Sequence, residues 1–312
     1  MSPNNQPWGI YRGTGRSRPD ADPWPEPPSW RRFGGGPDLP TPPADDPYAS
    51  QLLHDGTELS PADPDQLARV NAALALGRPL LVTGEPGTGK SALAHRIGRE
   101  LGLGRVLRWP VTSLSTLHEG LFHGPGRLGP LGTAFLPHRR PRVLLIDRLD
   151  RAEITLPEDL CTVLESGGFV VPGGVGRVAT DDDPGAVVGL PGGEVRCHAY
   201  PVVVITGSGA RDLAPELVRR CVGLRMRPPS VDALRAVVAG RYPADCPEGA
   251  PAADVVKAFL ERAGRADGPV VERLLDALHL AGEGALDATT AGGRDWQTAV
   301  DTVWQWTAPE EP

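Results

Sequence analysis

The sequence predicts an α/β fold built on a parallel sheet and followed by a smaller all-helical region, and three observations carry that prediction. Five short runs rich in Val, Ile and Leu alternate with helical patterns. The runs are continuously apolar rather than alternating, as in strands covered on both faces. Strand signals stop after Pro228 and Pro229, where only helical periodicity remains. A chain of 312 residues is long enough for one large or two modest domains.

Taken in order, residues 1–47 hold twelve of the 35 prolines, with Gly34, Gly35 and Gly36 in a row and almost no Val, Ile or Leu. Such a segment is expected to be a disordered arm, because it has little apolar surface to offset the entropy of ordering. It also carries Trp8, Trp24 and Trp30 beside Arg12, Arg16, Arg18, Arg31 and Arg32, a composition that also suits a docking segment. From about Tyr48 the composition changes, and 48–229 reads as the α/β core. Leu67, Val70 and Leu74 stand at helical spacing, then 79–83 reads as a strand. After a Gly-rich turn, Leu93, Ile97 and Leu101 mark one face of a helix. Further strand-like runs lie at 105–109, 142–147, 201–206 and 222–226. Residues 230–306 read as a helical domain, from Leu234, Val237 and Val238 through Val255, Val256, Phe259 and Leu260 to Val270, Val271, Leu274, Leu275 and Leu278. In its last helix Trp296, Val300, Val303 and Trp304 form an apolar stripe expected to pack within that domain. Residues 307–312 are a tail.

Composition narrows the function. A net charge of −7 argues against nucleic acid as a partner of the whole surface. No run approaches the ~18 apolar residues that span a bilayer, and residues 1–15 lack the apolar centre of a signal peptide. Cys161, Cys197, Cys221 and Cys246 stand far apart with no CxxC pair, which suggests neither zinc nor a disulfide framework. The expected setting is a reduced cytoplasm. His118 and His123 lack the i, i+4 spacing of a helical metal pair. Asp181, Asp182 and Asp183 before Pro184 read as a solvated hairpin loop.

One motif carries chemistry. Residues 84–91 read GEPGTGKS between a strand and a helix, the context that G-x-x-x-x-G-K-[ST] requires. Gly84, Gly87 and Gly89 let the turn that also contains Glu85, Pro86 and Thr88 direct its backbone N–H groups, which Pro86 alone lacks, at phosphates, beside the dipole of the following helix. Of 32 basic residues only Lys90 and Lys257 are lysine. A compact ammonium at Lys90 reaches between the β- and γ-phosphates, where a guanidinium fits poorly. Ser91 is the candidate hydroxyl ligand of Mg²⁺, and Asp147, ending the apolar run 142–147, is the candidate carboxylate.

These residues resemble the AAA+ ATPases, and more closely the MoxR-like branch found in bacteria beside von Willebrand A-domain partners. The resemblance rests on GEPGTGKS, LGPLGTAFLP (128–137), PRVLLIDRLDRAEITLPEDL (141–160), VVVITGSGARDLAPELVRRC (202–221) and the helical tail, and covers about 48–280. It implies a five-stranded parallel sheet of order 5-1-4-3-2, a helical lid, ATP with Mg²⁺ as cofactors, and homo-oligomeric rings with ATP between subunits. Within it, Arg219 and Arg220 match paired arginines that act on a neighbour's γ-phosphate, and Ser208 stands where relatives carry a polar asparagine near the end of the fourth strand. Relatives usually place a water-polarising glutamate directly after the metal aspartate; this chain has Arg148. At the entry of the last lid helix, where relatives often have a basic residue, it has Gly268, Pro269 and Val270, with Arg262 and Arg265 as unselected alternatives. The stretch 119–128 is shorter than in relatives.

Two functions follow from different classes. One is an ATP-driven remodelling ATPase, the other a nucleotide-binding module whose ATP-dependent assembly is its output. They part at Arg148, since a positioned base is worth ~10²–10⁴ in rate and an arginine finger ~10³–10⁵. Glu153 is the competing candidate for the missing acceptor. A Ras-like GTPase would need an Asn-Lys-x-Asp guanine reader, and Lys257 lies instead among Val255, Val256, Ala258 and Phe259.

Overall fold

Alternate residues of the central strands feed two separate cores, which fixes the layer arrangement. The computed structural model describes residues 9–18, 24–36, 38–43, 49, 53, 63–183, 185–242, 253–264, 270–285 and 294–307. The chain divides into two units: Met1–Leu52, Pro61–Gly84 and Lys90–Met226 in the first, Leu53–Ser60, Glu85–Gly89 and Arg227–Pro312 in the second.

The first unit opens with α1 (Pro64–Leu76), started by the Asp63 side chain accepting from Asp65 N and ended by left-handed Gly77 (φ 56°). Strand β1 (Leu80–Thr83) and helix α2 (Lys90–Glu100) follow, then β2 (Leu107–Pro110). Next come α3 (Leu117–Leu121), opened by a Thr116–Glu119 capping box, and the short strands β3 (Phe122–Gly124) and β4 (Arg127–Leu128). Helix α4 (Pro130–Ala134), β5 (Val143–Asp147) and α5 (Thr155–Ser166) precede another cluster of short strands. These are β6 (Gly168–Val170), β7 (Arg177–Ala179), β8 (Val187–Gly189) and β9 (Glu194–Arg196). The unit closes with β10 (Val202–Gly207), α6 (Pro215–Arg220) and β11 (Val222–Arg225).

The main sheet has the order β11-β1-β10-β5-β2, and every pairing in it is parallel. Ranked along the chain, its strands read 5-1-4-3-2, as the resemblance implied. Each strand begins or ends within two residues of the apolar run that marked it. Leu80, Val82, Val143, Leu145, Val202 and Val204 face the core shared with α1 and α2. Leu81, Leu144, Ile146, Val203 and Ile205 face the core shared with α4 and α5. The period of two puts successive residues on opposite faces, so both must be apolar. Full burial of one such side chain stabilises by ~1.5–3 kcal/mol.

Two features depart from the sequence expectations. A second sheet, β3-β4-β7-β8, and the pair β6-β9 are inserted into the core, β3 and β4 between the second and third main strands and β6 to β9 between the third and fourth. The acidic run expected as a solvated loop is tied into this insert. Asp182, 8% exposed at its side chain, accepts Arg142 Nη2 at 2.6 Å, and the Arg142 side chain is fully buried. Burial works to raise the Asp182 carboxyl, but the charge of Arg142 and hydrogen bonds from Arg142 and Thr180 hold it below its usual range. Asp181 pairs with His123 at 3.1 Å.

The second departure is the arm. Its described residues are not loose: they form a belt on the first unit. Ile10 and Tyr11 are buried, and Trp24 packs on the α1/α2 core. Phe33 lies against Gly167, which is left-handed (φ 66°) at the end of α5 and has no Cβ to strike the ring. Leu39 N donates to Pro137 O at 2.8 Å, and Arg105 N to Pro43 O at 3.2 Å. Proline-rich backbone is ordered here because core groups supply its hydrogen bonds and its few large side chains insert singly. Trp30 remains 72% exposed; Trp8 lies outside the described residues.

The second unit contains α7 (Val231–Arg241), α8 (Ala253–Ala263), α9 (Val270–Leu280) and α10 (Arg294–Trp306). Its core joins Leu234, Phe259, Leu274, Leu278, Val303 and Trp304. Phe259 stacks on Trp304 at 6.3 Å, and Arg273 lies 5.7 Å from the same indole. The stripe of α10 therefore packs inward at Val300, Val303 and Trp304, while the Trp296 side chain lies outside the described residues. No helix among the described residues is long and apolar enough to cross a membrane.

Candidate phosphate-binding site

Strand β1 ends at Thr83 and helix α2 begins at Lys90, so the turn between them must reverse the chain in six residues. Glycine makes that possible: Gly84 (φ 143°), Gly87 (φ 76°) and Gly89 (φ 83°) all take conformations that L side chains resist. Within the turn the Thr88 hydroxyl donates to Glu85 O at 2.9 Å. Glu85, Pro86 and Gly89 are exposed, and Thr88 is buried. Lys90 Nζ donates to Gly84 O at 2.8 Å. Helix α2 starts at this turn, and the positive end of a helix dipole favours an anion there.

Across the sheet edge, Ser91 Oγ donates to Asp147 Oδ1 at 2.8 Å. Thr206 Oγ1 donates to the same oxygen at 2.6 Å and accepts Arg148 N at 2.8 Å. The structure thus brings Lys90, Ser91 and Asp147 to the C-terminal ends of β1 and β5, where ligands of parallel α/β sheets bind. Thr206 escaped the sequence reading because a β-branched residue inside an apolar run looks like strand packing. Its hydroxyl is fully buried.

The remaining candidates fall elsewhere. Ser208 is not joined to Asp147: its N–H donates to Asp150 Oδ2 at 2.7 Å, and its hydroxyl donates to the same oxygen. Arg148 is exposed and left-handed (φ 62°, ψ 49°), the one non-glycine residue with positive φ among the described residues. Glu153 is exposed, and its carboxylate takes no part in the Ser91–Asp147–Thr206 hydrogen bonds. Arg219 and Arg220 end α6. Arg220 pairs with Glu165 and, at 3.2 Å, with Glu216, and Arg219 stands 74% exposed. Because Val222 N donates to Pro79 O, both arginines sit at the N-terminal edge of the sheet. The phosphate turn leaves from the opposite edge, about 13 Å away over a four-residue strand. In the second unit Arg262 pairs with Asp301 at 2.9 Å. Arg265, Gly268 and Pro269 lie outside the described residues, as does Cys246.

The donor set fits a magnesium nucleotide. Mg²⁺ takes oxygen ligands, one or two from carboxylate or hydroxyl and the rest from phosphates and water, which is what Ser91 and Asp147 offer. Among the described residues no three His, Cys, Asp or Glu side chains cluster as an all-protein metal cage.

No family model matches the chain, and no curated protein matches it. Among solved structures it is similar to a point mutant of RuvB from Thermotoga maritima, with a TM-score of 0.46, 18% identity, and coverage of 78% of this chain and 68% of that one. It is similar to the Thermotoga maritima RuvB Holliday junction branch migration motor at a TM-score of 0.46 and 16% identity, covering 77% and 64%. NtrX from Brucella abortus in complex with ADP is similar at a TM-score of 0.46 and 14% identity, covering 74% of this chain and 52% of NtrX.

Proposed function

We propose that the chain is an ATP-binding protein of the AAA+ type, resembling the MoxR-like branch, that binds Mg-ATP at Gly84–Ser91, assembles into a homo-oligomeric ring and hydrolyses ATP slowly. The observation that carries this reading is the 2.8 Å contact of Ser91 Oγ with Asp147 Oδ1 beside the glycine turn and Lys90. Lys90, in exchanging its Gly84 carbonyl for phosphate oxygens, supplies a point charge between the β- and γ-phosphates. Ser91 and Asp147 hold the metal, and Thr206 fixes the carboxylate that does so. Bound Mg²⁺ supplies neutralisation of the phosphate charge.

Slow hydrolysis is favoured by Arg148, which has no acceptor with which to orient water. The position of Arg219 and Arg220 at the far edge of the sheet supports action on a neighbour's nucleotide rather than on the chain's own. A remodelling or chaperone-type activity, with a von Willebrand A-domain protein as partner in the cytoplasm, is the role this reading implies. The second reading, a hydrolysis-deficient assembly or regulatory module, is favoured by the same Arg148.

A thermal-shift titration tests the proposal. Mg-ATP at 100-fold above its Kd should stabilise the native state by ~2.7 kcal/mol, and Lys90→Ala should abolish the shift. No shift for wild type at millimolar Mg-ATP sinks the reading.

A further inference from the structure

The belt starts and finishes at one corner of the first unit. Arg18 N donates to Glu100 O at 2.9 Å near its start, and Arg105 N donates to Pro43 O at its end. Glu100 is the last residue of α2, the helix that Lys90 begins.

The latch at this corner is a buried carboxylate. Glu100, with no side-chain exposure, accepts the backbone N–H groups of Arg12 at 2.5 Å, Thr14 at 2.6 Å and Gly15 at 3.1 Å. It also accepts the Thr14 hydroxyl at 3.0 Å, and Arg18 Nη1 lies 4.0 Å away. A carboxylate removed from water is stable only while such donors surround it. Thr14 is itself exposed, so the group touching the buried charge also reaches the surface. The surrounding tract, 12–18, reads RGTGRSR, with arginines two residues before and two and four after Thr14, in a chain of net charge −7.

We propose that Thr14 is a phosphorylation site for a serine/threonine kinase that selects basic substrates, and that the modification unlatches residues 9–18 from the core. The chemistry is a phosphoryl transfer from ATP. A bond forms between Thr14 Oγ1 and the γ-phosphorus, the bond from that phosphorus to the β–γ bridging oxygen breaks, the hydroxyl proton passes to the kinase base, and ADP leaves. The product places a charge of about −2 against a carboxylate that cannot move into water without releasing its donors. Repulsion therefore expels the latch loop, and with it the buried Ile10 and Tyr11 from the α1/α2 core. The Asn71 side chain, which accepts Tyr11 N at 2.9 Å and donates to Tyr11 O at 2.8 Å, is a further hold on that segment. The proposal rests on the belt alone and stands apart from the nucleotide reading.

Hydrogen exchange on the full chain tests it. Thr14→Glu should speed exchange of the amides of residues 11–15 by roughly tenfold or more. Ser17→Glu, the same charge in the same tract on a side chain without a partner at Glu100, should change them by no more than about twofold. In a Glu100→Gln background Thr14→Glu should add little, because the repelling charge is gone. Treatment with a basophilic kinase and Mg-ATP should put phosphate on Thr14, read by mass spectrometry, and reproduce the faster exchange. Equal effects of Thr14→Glu and Ser17→Glu, or phosphate on Ser17 alone, overturn the proposal.

Discussion

Thr206 and Asp147 are joined by a 2.6 Å hydrogen bond from hydroxyl to Oδ1, made at the buried end of β10. The same hydroxyl caps the Arg148 amide, so one side chain sets both the candidate metal carboxylate and the backbone turn after it.

Thr206→Val keeps the shape of the side chain and removes both bonds. Left without a partner, the Arg148 N–H should lower stability by ~1–3 kcal/mol in a denaturant melt. Mg²⁺ should also support ATP binding less well. Thr206→Ser should retain both properties. A valine variant as stable as wild type, with unchanged Mg²⁺ dependence, contradicts this role.

Arg148 sits at φ 62°, where a Cβ crowds the following carbonyl. Arg148→Gly should therefore stabilise the fold by about 1 kcal/mol, whereas Arg148→Ala should not. Equal melting behaviour of the two variants would show that the left-handed turn carries no strain.

His138 makes the belt sensitive to acid. Its Nδ1 lies 3.1 Å from Pro40 O, and burial first, then the charge of Arg142, lower its pKa from 6.5 to about 4. The folded value lies below the unfolded one, so the unfolded chain binds more protons between them. Stability should thus fall as pH drops from 6.5 toward 4, by up to ~3 kcal/mol from this group. His138→Gln should flatten that part of the profile in urea melts at graded pH; an unchanged slope would assign the acid sensitivity to other groups.

Much of the fold was legible because parallel strands covered on both faces leave unbroken apolar runs. Val143 through Ile146 is one such run, and its final aspartate is legible for the same reason. GEPGTGKS is legible because each residue type answers a separate demand of phosphate binding. The short strands β3, β4 and β6 to β9 left little signal: they are two or three residues long, and several contain glycine. The belt was misread for a related reason. Ile10, Tyr11, Trp24, Phe33 and Leu39 insert at irregular intervals, with no helical or strand period, into sites that the rest of the chain creates. Asp182 looked solvated because its partner, Arg142, is 40 residues away in sequence. Ser208 was matched by position in the strand, but its hydroxyl is committed to Asp150.

The central claim is a phosphate site that binds Mg-ATP well and turns it over poorly because Arg148 stands where a water acceptor is needed. ATP affinity and steady-state turnover, measured on one preparation for wild type and Arg148→Glu, test it most directly. The account predicts tight Mg-dependent binding by both, slow turnover by wild type, and a gain of ~10²-fold or more in the variant. Turnover by wild type that Arg148→Glu leaves unchanged and Glu153→Gln stops would contradict it.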